Sequence, residues 1–456
     1  MRGGQAAALV ALACVLGVVG GTAGVAHAAE AATPGEEYDA LFLRSLRQPS
    51  DVALAYRVAG LAVARGDYEA AIGVYERVLY YNPRLANVRL ELGRLYYRLG
   101  AYESARSYFS SVANAGDLAP GERESVAAYL IEIERRLSTN QWSVYAQAGV
   151  RYQSNATYGP SSRIVVGDDV AALLPPSYQS KADGNVFGLA SIRHVYDFGN
   201  QRGDVWESNL SAYYSQQFDI QRLNLGFVEF NSGPRLALLP DALPGSSARV
   251  YGIVGGVNLG GSSYLGTYGV GASLYLPFHF GGVEPGPAVA KLGVEPFVEL
   301  RQRNYSDTFD YPTAGFQSGE MWTVGASLFG GITNDLRWRA RLAYNDASAE
   351  LPWYAYNTFS VDLALPYEFQ GLWGVKPWVA IPSFGYTRYA FDAPNPFVSV
   401  FTSRDDNQYR VGLALDVPVQ EQFGLLTQVQ YSWADSSLPN YNFNNFSISF
   451  GPNVRF

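Results

Sequence analysis

Two spacings of apolar residues divide this chain near residue 140. Between Asp51 and about Ala119 apolar positions recur every three to four residues, which gives a helix one buried face. After Asn140 they recur every second residue between breaks rich in Gly, Pro and Asn, which is the pattern of strands. The last segment is the clearest: Phe446, Ile448, Phe450, Val454 and Phe456 alternate with Asn445, Ser447, Ser449, Asn453 and Arg455. Such a strand has hydrocarbon on one side and water on the other. Working back, strand-like segments begin near 142, 184, 204, 222, 248, 264, 291, 319, 336, 356, 375, 408, 423 and 441. These number about fourteen, and an even count is what closes a single-chain bacterial barrel. The expected fold is α + β multidomain: N-terminal helices followed by a C-terminal antiparallel transmembrane β-barrel.

The helical region is periodic on a longer scale as well. Ala59, Gly66, Tyr68, Ala71, Tyr75 and Pro83 are followed, about 34 residues later, by Gly93, Gly100, Tyr102, Ala105, Phe109 and Asp117. Small residues stand where paired helices touch, aromatics fill the next gap, and Pro83 ends a helix because it has no N–H to donate. This is the tetratricopeptide signature. Amphipathic stretches at Glu36 to Leu46 and from Pro120-Gly121-Glu122 to about Leu137 would cap the stack, since one repeat cannot bury its own face. A helical-repeat array presents a concave surface whose usual ligand is a peptide segment of another protein. We therefore expect a repeat domain over 36–140, placed in the periplasm, and a barrel over 141–456.

Alternation also assigns the faces of the strands. On the seventh segment Leu292, Val294, Val298 and Leu300 take the lipid side and turn Glu295, Glu299, Arg301 and Arg303 inward. On the ninth, Trp338, Ala340, Leu342 and Tyr344 lie outside and Arg337, Arg339 and Arg341 inside; Asp362, Arg410 and Asp416 complete the expected lumen set. Charges so placed solvate a channel, pair across it, or form a constriction that substrate contacts reorganise. With the repeats in the periplasm, the odd-numbered connections face outward, including the long stretches 154–183, 304–318 and 391–407. Asp405-Asp406 falls in one such loop and is a weak cation candidate, though a charged loop is usually just solvated.

Composition narrows the classes. The chain is 14% aromatic with 47 Gly and 33 Tyr, a profile of alternating strands more than of membrane helices. A net charge of −8 offers no basic surface for nucleic acid. At the N-terminus, Arg2, the apolar run Ala6 to Val19 and Ala26-His27-Ala28 read as a secretory signal over 1–28 with an A-x-A cleavage site. Its apolar run is short of the roughly 20 residues that span a bilayer. Cys14, the single cysteine, lies inside it, so the mature chain has no thiol for disulfide, metal or redox chemistry. His194 and His279 are far apart in sequence. His194 shares its parity with Val186, Ala190, Ile192 and Tyr196, hence the lipid side near an interface, a poor place for a catalytic base. No enzyme activity, catalytic residue, metal or cofactor is expected.

Ser449, Gly451, Val454 and terminal Phe456 resemble the C-terminal assembly signal of outer-membrane proteins, which implies the barrel-assembly machinery as a partner during biogenesis. Tyr152-Gln153-Ser154-Asn155, closing the first strand, is similar to a Tyr-Asp-Ser-Asn signature, with Gln153 departing from it. Together with the signal segment, the short repeat stack and the barrel, it makes the chain resemble the surface lipoprotein assembly modulator (Slam) family. That resemblance implies an outer-membrane protein that helps exported clients, lipoproteins or related proteins, reach the surface. An exopolysaccharide export channel and a passive porin are the alternatives.

Overall fold

The computed structural model describes residues 34–115, 120–167, 170–200, 202–238, 243–278, 292–373 and 376–456; the signal segment and its Ala26-His27-Ala28 site, His279 and Asp117 lie outside them. The chain forms two compact units, divided between Leu137 and Ser138.

The first unit is six helices: α1 (Pro34–Arg47), α2 (Val52–Ala64), α3 (Tyr68–Tyr81), α4 (Ala86–Arg98), α5 (Tyr102–Ala115) and α6 (Pro120–Leu137). Asp51 and Asp67 cap α2 and α3 by accepting the N–H of Leu54 and Ala70, each at 3.0 Å. Gly66 and Gly100 stop α2 and α4 with φ of +79° and +74°, where a side chain would be strained. Ala59 and Ala71 are fully buried with Val58, Val78 and Leu92 in one core; Ala105 and Phe109 are fully buried with Val112 and Ile133 in a second. Gly93 has a packing reason, because a Cβ there would stand 2.8 Å from the Phe109 ring. Tyr75 packs edge-on against Tyr56, and Pro83 lies in the turn after α3.

The second unit contains β1 (Asn140–Gln153), β2 (Ile164–Gly167), β3 (Val170–Leu173), β4 (Asp183–Asp197), β5 (Val205–Gln217), β6 (Leu225–Ala237), β7 (Ser247–Leu259), β8 (Ser262–Phe278), β9 (Leu292–Tyr305), β10 (Gly319–Gly331), β11 (Arg337–Ala347), β12 (Tyr356–Ala364), β13 (Tyr367–Phe369), β14 (Trp378–Phe391), β15 (Asp405–Pro418), β16 (Phe423–Ser436) and β17 (Phe443–Arg455). Fourteen of these pair antiparallel in sequence order, and β1 with β17 closes the ring. Each of the fourteen starts within three residues of its expected position. β2 and β3 form a hairpin of their own, and β13 adds three residues to the edge of β14. Neither was visible as a separate segment, because four-residue and three-residue strands carry too little alternation to register.

The outward face of the strands is apolar and, among the described residues of this unit, exposed. Val250, Val254, Val270, Val324, Leu413 and Phe450 are all about half exposed or more. A closed sheet pairs every strand edge, and an exposed apolar belt on it is stable in hydrocarbon. No helix among the described residues is long and apolar enough to cross a membrane. The chain is an outer-membrane-type transmembrane β-barrel with an N-terminal unit of tetratricopeptide repeats.

Candidate functional site

The inward residues of the strands form the candidate site, and they divide it into two unlike walls. Glu207 is the hub of the first, on β4–β9. Its carboxylate takes Arg235 Nε at 2.9 Å and Arg193 Nε at 3.1 Å, and Arg249 Nε stands 3.9 Å away. Arg235 also reaches Glu295 at 3.3 Å, which accepts a hydrogen bond from Ser273 at 2.8 Å. Arg249 donates to Asn231 Oδ1 at 2.8 Å and to the Glu207 carbonyl at 3.1 Å. Nearby, Arg301 holds Glu229 at 2.5 Å and Glu299 at 2.9 Å, while the Tyr251 hydroxyl donates to Glu299 at 2.9 Å. Desolvation costs such charges several kcal/mol each, so every member must be paired, and removing one partner strands a buried charge. Phe187, Ile253 and Phe297 are buried on the same face, so this wall is thick with packed side chains. It is a structural lattice.

The second wall, on β11–β16, is open. Arg339 and Arg341 on β11 point inward and are exposed; Arg341 lies 4.2 Å over the Phe297 ring, and neither meets a carboxylate among the described residues. Arg410 on β15 meets Asp362 on β12 at 2.8 Å with both side chains about half exposed. Gly385 lies between them on β14, where a Cβ would come 2.9 Å from Arg410 Nε and from Asp362 Oδ1. The glycine is what lets the pair form across an intervening strand.

Of the other expected lumen charges, Arg303 is buried and donates to the Ser348 carbonyl at 2.7 Å and the Tyr356 hydroxyl at 3.2 Å. Asp416 is buried with Asn453 at 3.1 Å and pairs with Arg455. Arg337, the first residue of β11, pairs with Glu368 of β13. Sequence reading missed Arg193, Glu207, Glu229, Arg235 and Arg249, the lattice itself. The signal was present, since Glu207 alternates with outward Trp206 and Arg249 with Val250. One expectation is corrected. Asp405 and Asp406 are the first residues of β15 and no loop; Asp405 is bound by Arg388 at 2.6 Å, and Asp406 is fully buried against Arg404 at 2.5 Å.

His194 faces outward at the end of the barrel where β1 begins, its ring 4.2 Å from that of Trp142 and its Nε2 2.9 Å from Asn140 Oδ1. On β17, Ser449 and Gly451 share the inward register of Asn445 and Asn453, whereas Val454 and Phe456 share the outward one of Phe450. Phe456 is joined to β1 through both backbone bonds with Val144, at 3.0 and 2.9 Å. The Tyr-Gln-Ser-Asn stretch fastens the other end of that seam. Asn155 is buried, donates to the carbonyls of Gly159 and Asn444 at 2.8 and 3.0 Å, and takes Asn445 Oδ1 on its own N–H at 3.0 Å.

A family model described as tetratricopeptide repeat matches residues 62–119. No curated protein matches the chain. Among solved structures, similarity extends to the outer membrane protein opdK from Pseudomonas aeruginosa, with 11% identity and a TM-score of 0.34 over 69% of this chain and 99% of that one. The outer membrane channel DcaP of Acinetobacter baumannii gives 6% and 0.35 over 70% and 97%, and a bacterial polysaccharide outer membrane secretin 9% and 0.28 over 68% and 98%.

Proposed function

We propose that this protein is an outer-membrane translocation component that captures exported client proteins, lipoproteins or related, with its repeats and assists their display at the cell surface through its barrel. The observation that carries this reading is the fusion of the two units: α6 ends at Leu137 and β1 begins at Asn140, so a peptide-binding type of module is tied directly to the first strand of a pore-type fold. Tethering raises the effective concentration of a captured client at the barrel into the range of millimolar for short linkers. Residues 1–28 direct export in this reading, the repeats lie in the periplasm, and the barrel-assembly machinery recognises Ser449, Gly451, Val454 and Phe456. The open cationic wall favours a second reading, a channel for small solutes or exopolysaccharide, in which the repeats are a spacer.

The test is a variant joining residues 1–28 to 141–456. It should insert at normal levels, because its strands lack only Asn140 at the start of β1 and its terminal segment is intact, yet fail to display the client. Protease accessibility or antibody labelling of a candidate exported protein encoded nearby, on intact cells, reads the outcome. Full labelling by the barrel alone at matched expression would sink the capture model. Unchanged surface proteins on deletion of the whole gene, with altered capsule or solute uptake, would put the channel reading in its place.

A further inference from the structure

We propose that the open wall of the lumen is a binding site for anionic oxygens, carboxylate or phosphate, built on Arg339, Arg341 and Arg410. The inference goes beyond the translocation reading and does not depend on it.

Position alone does not distinguish these arginines, since Arg235 and Arg301 share the inward face. Partners do. Arg235 and Arg301 each bridge two carboxylates, whereas Arg339 and Arg341 meet none and Arg410 shares Asp362 through one contact. Three guanidinium groups against one carboxylate leave a local excess of two positive charges, all in exposed side chains. A guanidinium fork matches a carboxylate or phosphate through two parallel N–H bonds, and Arg341 has one face taken by Phe297 with its edge left over for a ligand.

The space is continuous with the charge. A cavity of about 710 Å³ takes in Arg339, Arg341, Asp362, Arg410 and Gln430. A second, of about 430 Å³, shares Arg410 and Gln430 and runs on to Arg404 and Tyr441. In this second cavity the Ser432 hydroxyl is buried and has no hydrogen-bond partner, a donor waiting for an acceptor. An anion here can engage the guanidinium forks of Arg339, Arg341 and Arg410 in turn, facing the ion-paired lattice on the opposite wall.

The experiment uses the purified full chain in planar bilayers under a KCl gradient, and in detergent with labelled hexaglutamate, inorganic tripolyphosphate and hexalysine as probes. The wild type should prefer chloride to potassium, and each guanidinium removed in Arg339→Gln and Arg341→Gln should lower that preference roughly threefold, about one kT of local potential. Arg388→Gln, the same charge change on a rim pair with Asp405, controls for net charge and should alter nothing. If the lumen carries no current, the anionic probes should still bind the wild type and lose at least about tenfold in affinity in the double variant. Hexaglutamate binding without tripolyphosphate assigns the site to carboxylates, and the reverse to phosphates. A non-selective or cation-selective wild type, hexalysine binding as well as hexaglutamate, or a double variant that inserts normally and keeps its selectivity would each overturn the proposal.

Discussion

Gly451 and Gly93 show how one missing methyl sets a contact. A Cβ on Gly451 would meet the Ala148 carbonyl at 1.9 Å, so β17 can lie against β1 only if position 451 is glycine. Gly451→Val should therefore open the closing seam, and unheated electrophoresis should show loss of the compact, heat-modifiable form. This gives the residue a packing role in addition to any part in recognition by assembly machinery. At Gly93 the obstacle is the Phe109 ring, and Gly93→Val should cost about 1–3 kcal/mol of overpacking, read as a lower urea midpoint of helical signal. Asp204 makes a different kind of contact: it accepts from the Ala237 N–H and from Asn200, both at 2.8 Å, joining the β4–β5 turn to the end of β6. The Ala237 N–H holds its carboxyl below the usual carboxylate range. A depressed folded pKa means the link is fully present above the unfolded value of about 3.9 and is lost as pH falls through the folded one. Melting of the barrel should fall more steeply below pH of about 4 in the wild type than in Asp204→Asn.

Among elements, β11 gives the sharpest contrast. Leu342 and Arg341 are neighbours with opposite solvents, as the pairing of Leu342 with Ala326 and of Arg341 with Asp362 lays out. Leu342→Arg should destabilise the barrel by roughly 2–4 kcal/mol if it lies near the bilayer midplane, while Arg341→Gln should change conductance and spare folding. Equal damage from the two, measured by insertion and melting, would overturn the assignment of faces. The seam of β1 and β17 is the second case. Its two ends are fastened by Asn155 and by Phe456, and deleting Phe456 removes both backbone bonds with Val144 as well as an outward aromatic. Insertion of that variant should drop markedly; wild-type amounts of heat-modifiable protein would refute its part in assembly.

For the whole molecule, the arrangement of charge carries the functional argument. The lattice on β4–β9 and the open wall on β11–β16 share one lumen face, so rigidity is concentrated on one side and hydrated cations on the other. In the capture reading proposed above the tethered repeats would choose the cargo, and the deletion of residues 29–140 tests insertion and display in a single variant.

Alternation by itself determined the barrel class, the fourteen strands and their starts within three residues, because a closed barrel exposes each strand to only two solvents and the side chains must obey a period of two. The repeat period likewise placed small residues where paired helices touch, and the structure sets Gly93 of α4 against Phe109 of α5. Parity, however, says only that a charge faces the lumen. Whether Arg235 is saturated while Arg339 is open, whether Asp405 and Asp406 begin a strand, and why Asn155 follows β1 depended on neighbours far apart in sequence. Those were decided by the stagger of strands around the ring, which brings Glu207 to Arg249, sets Ala364 opposite Arg339, and turns Asp362, the cross-strand partner of Arg341, to Arg410.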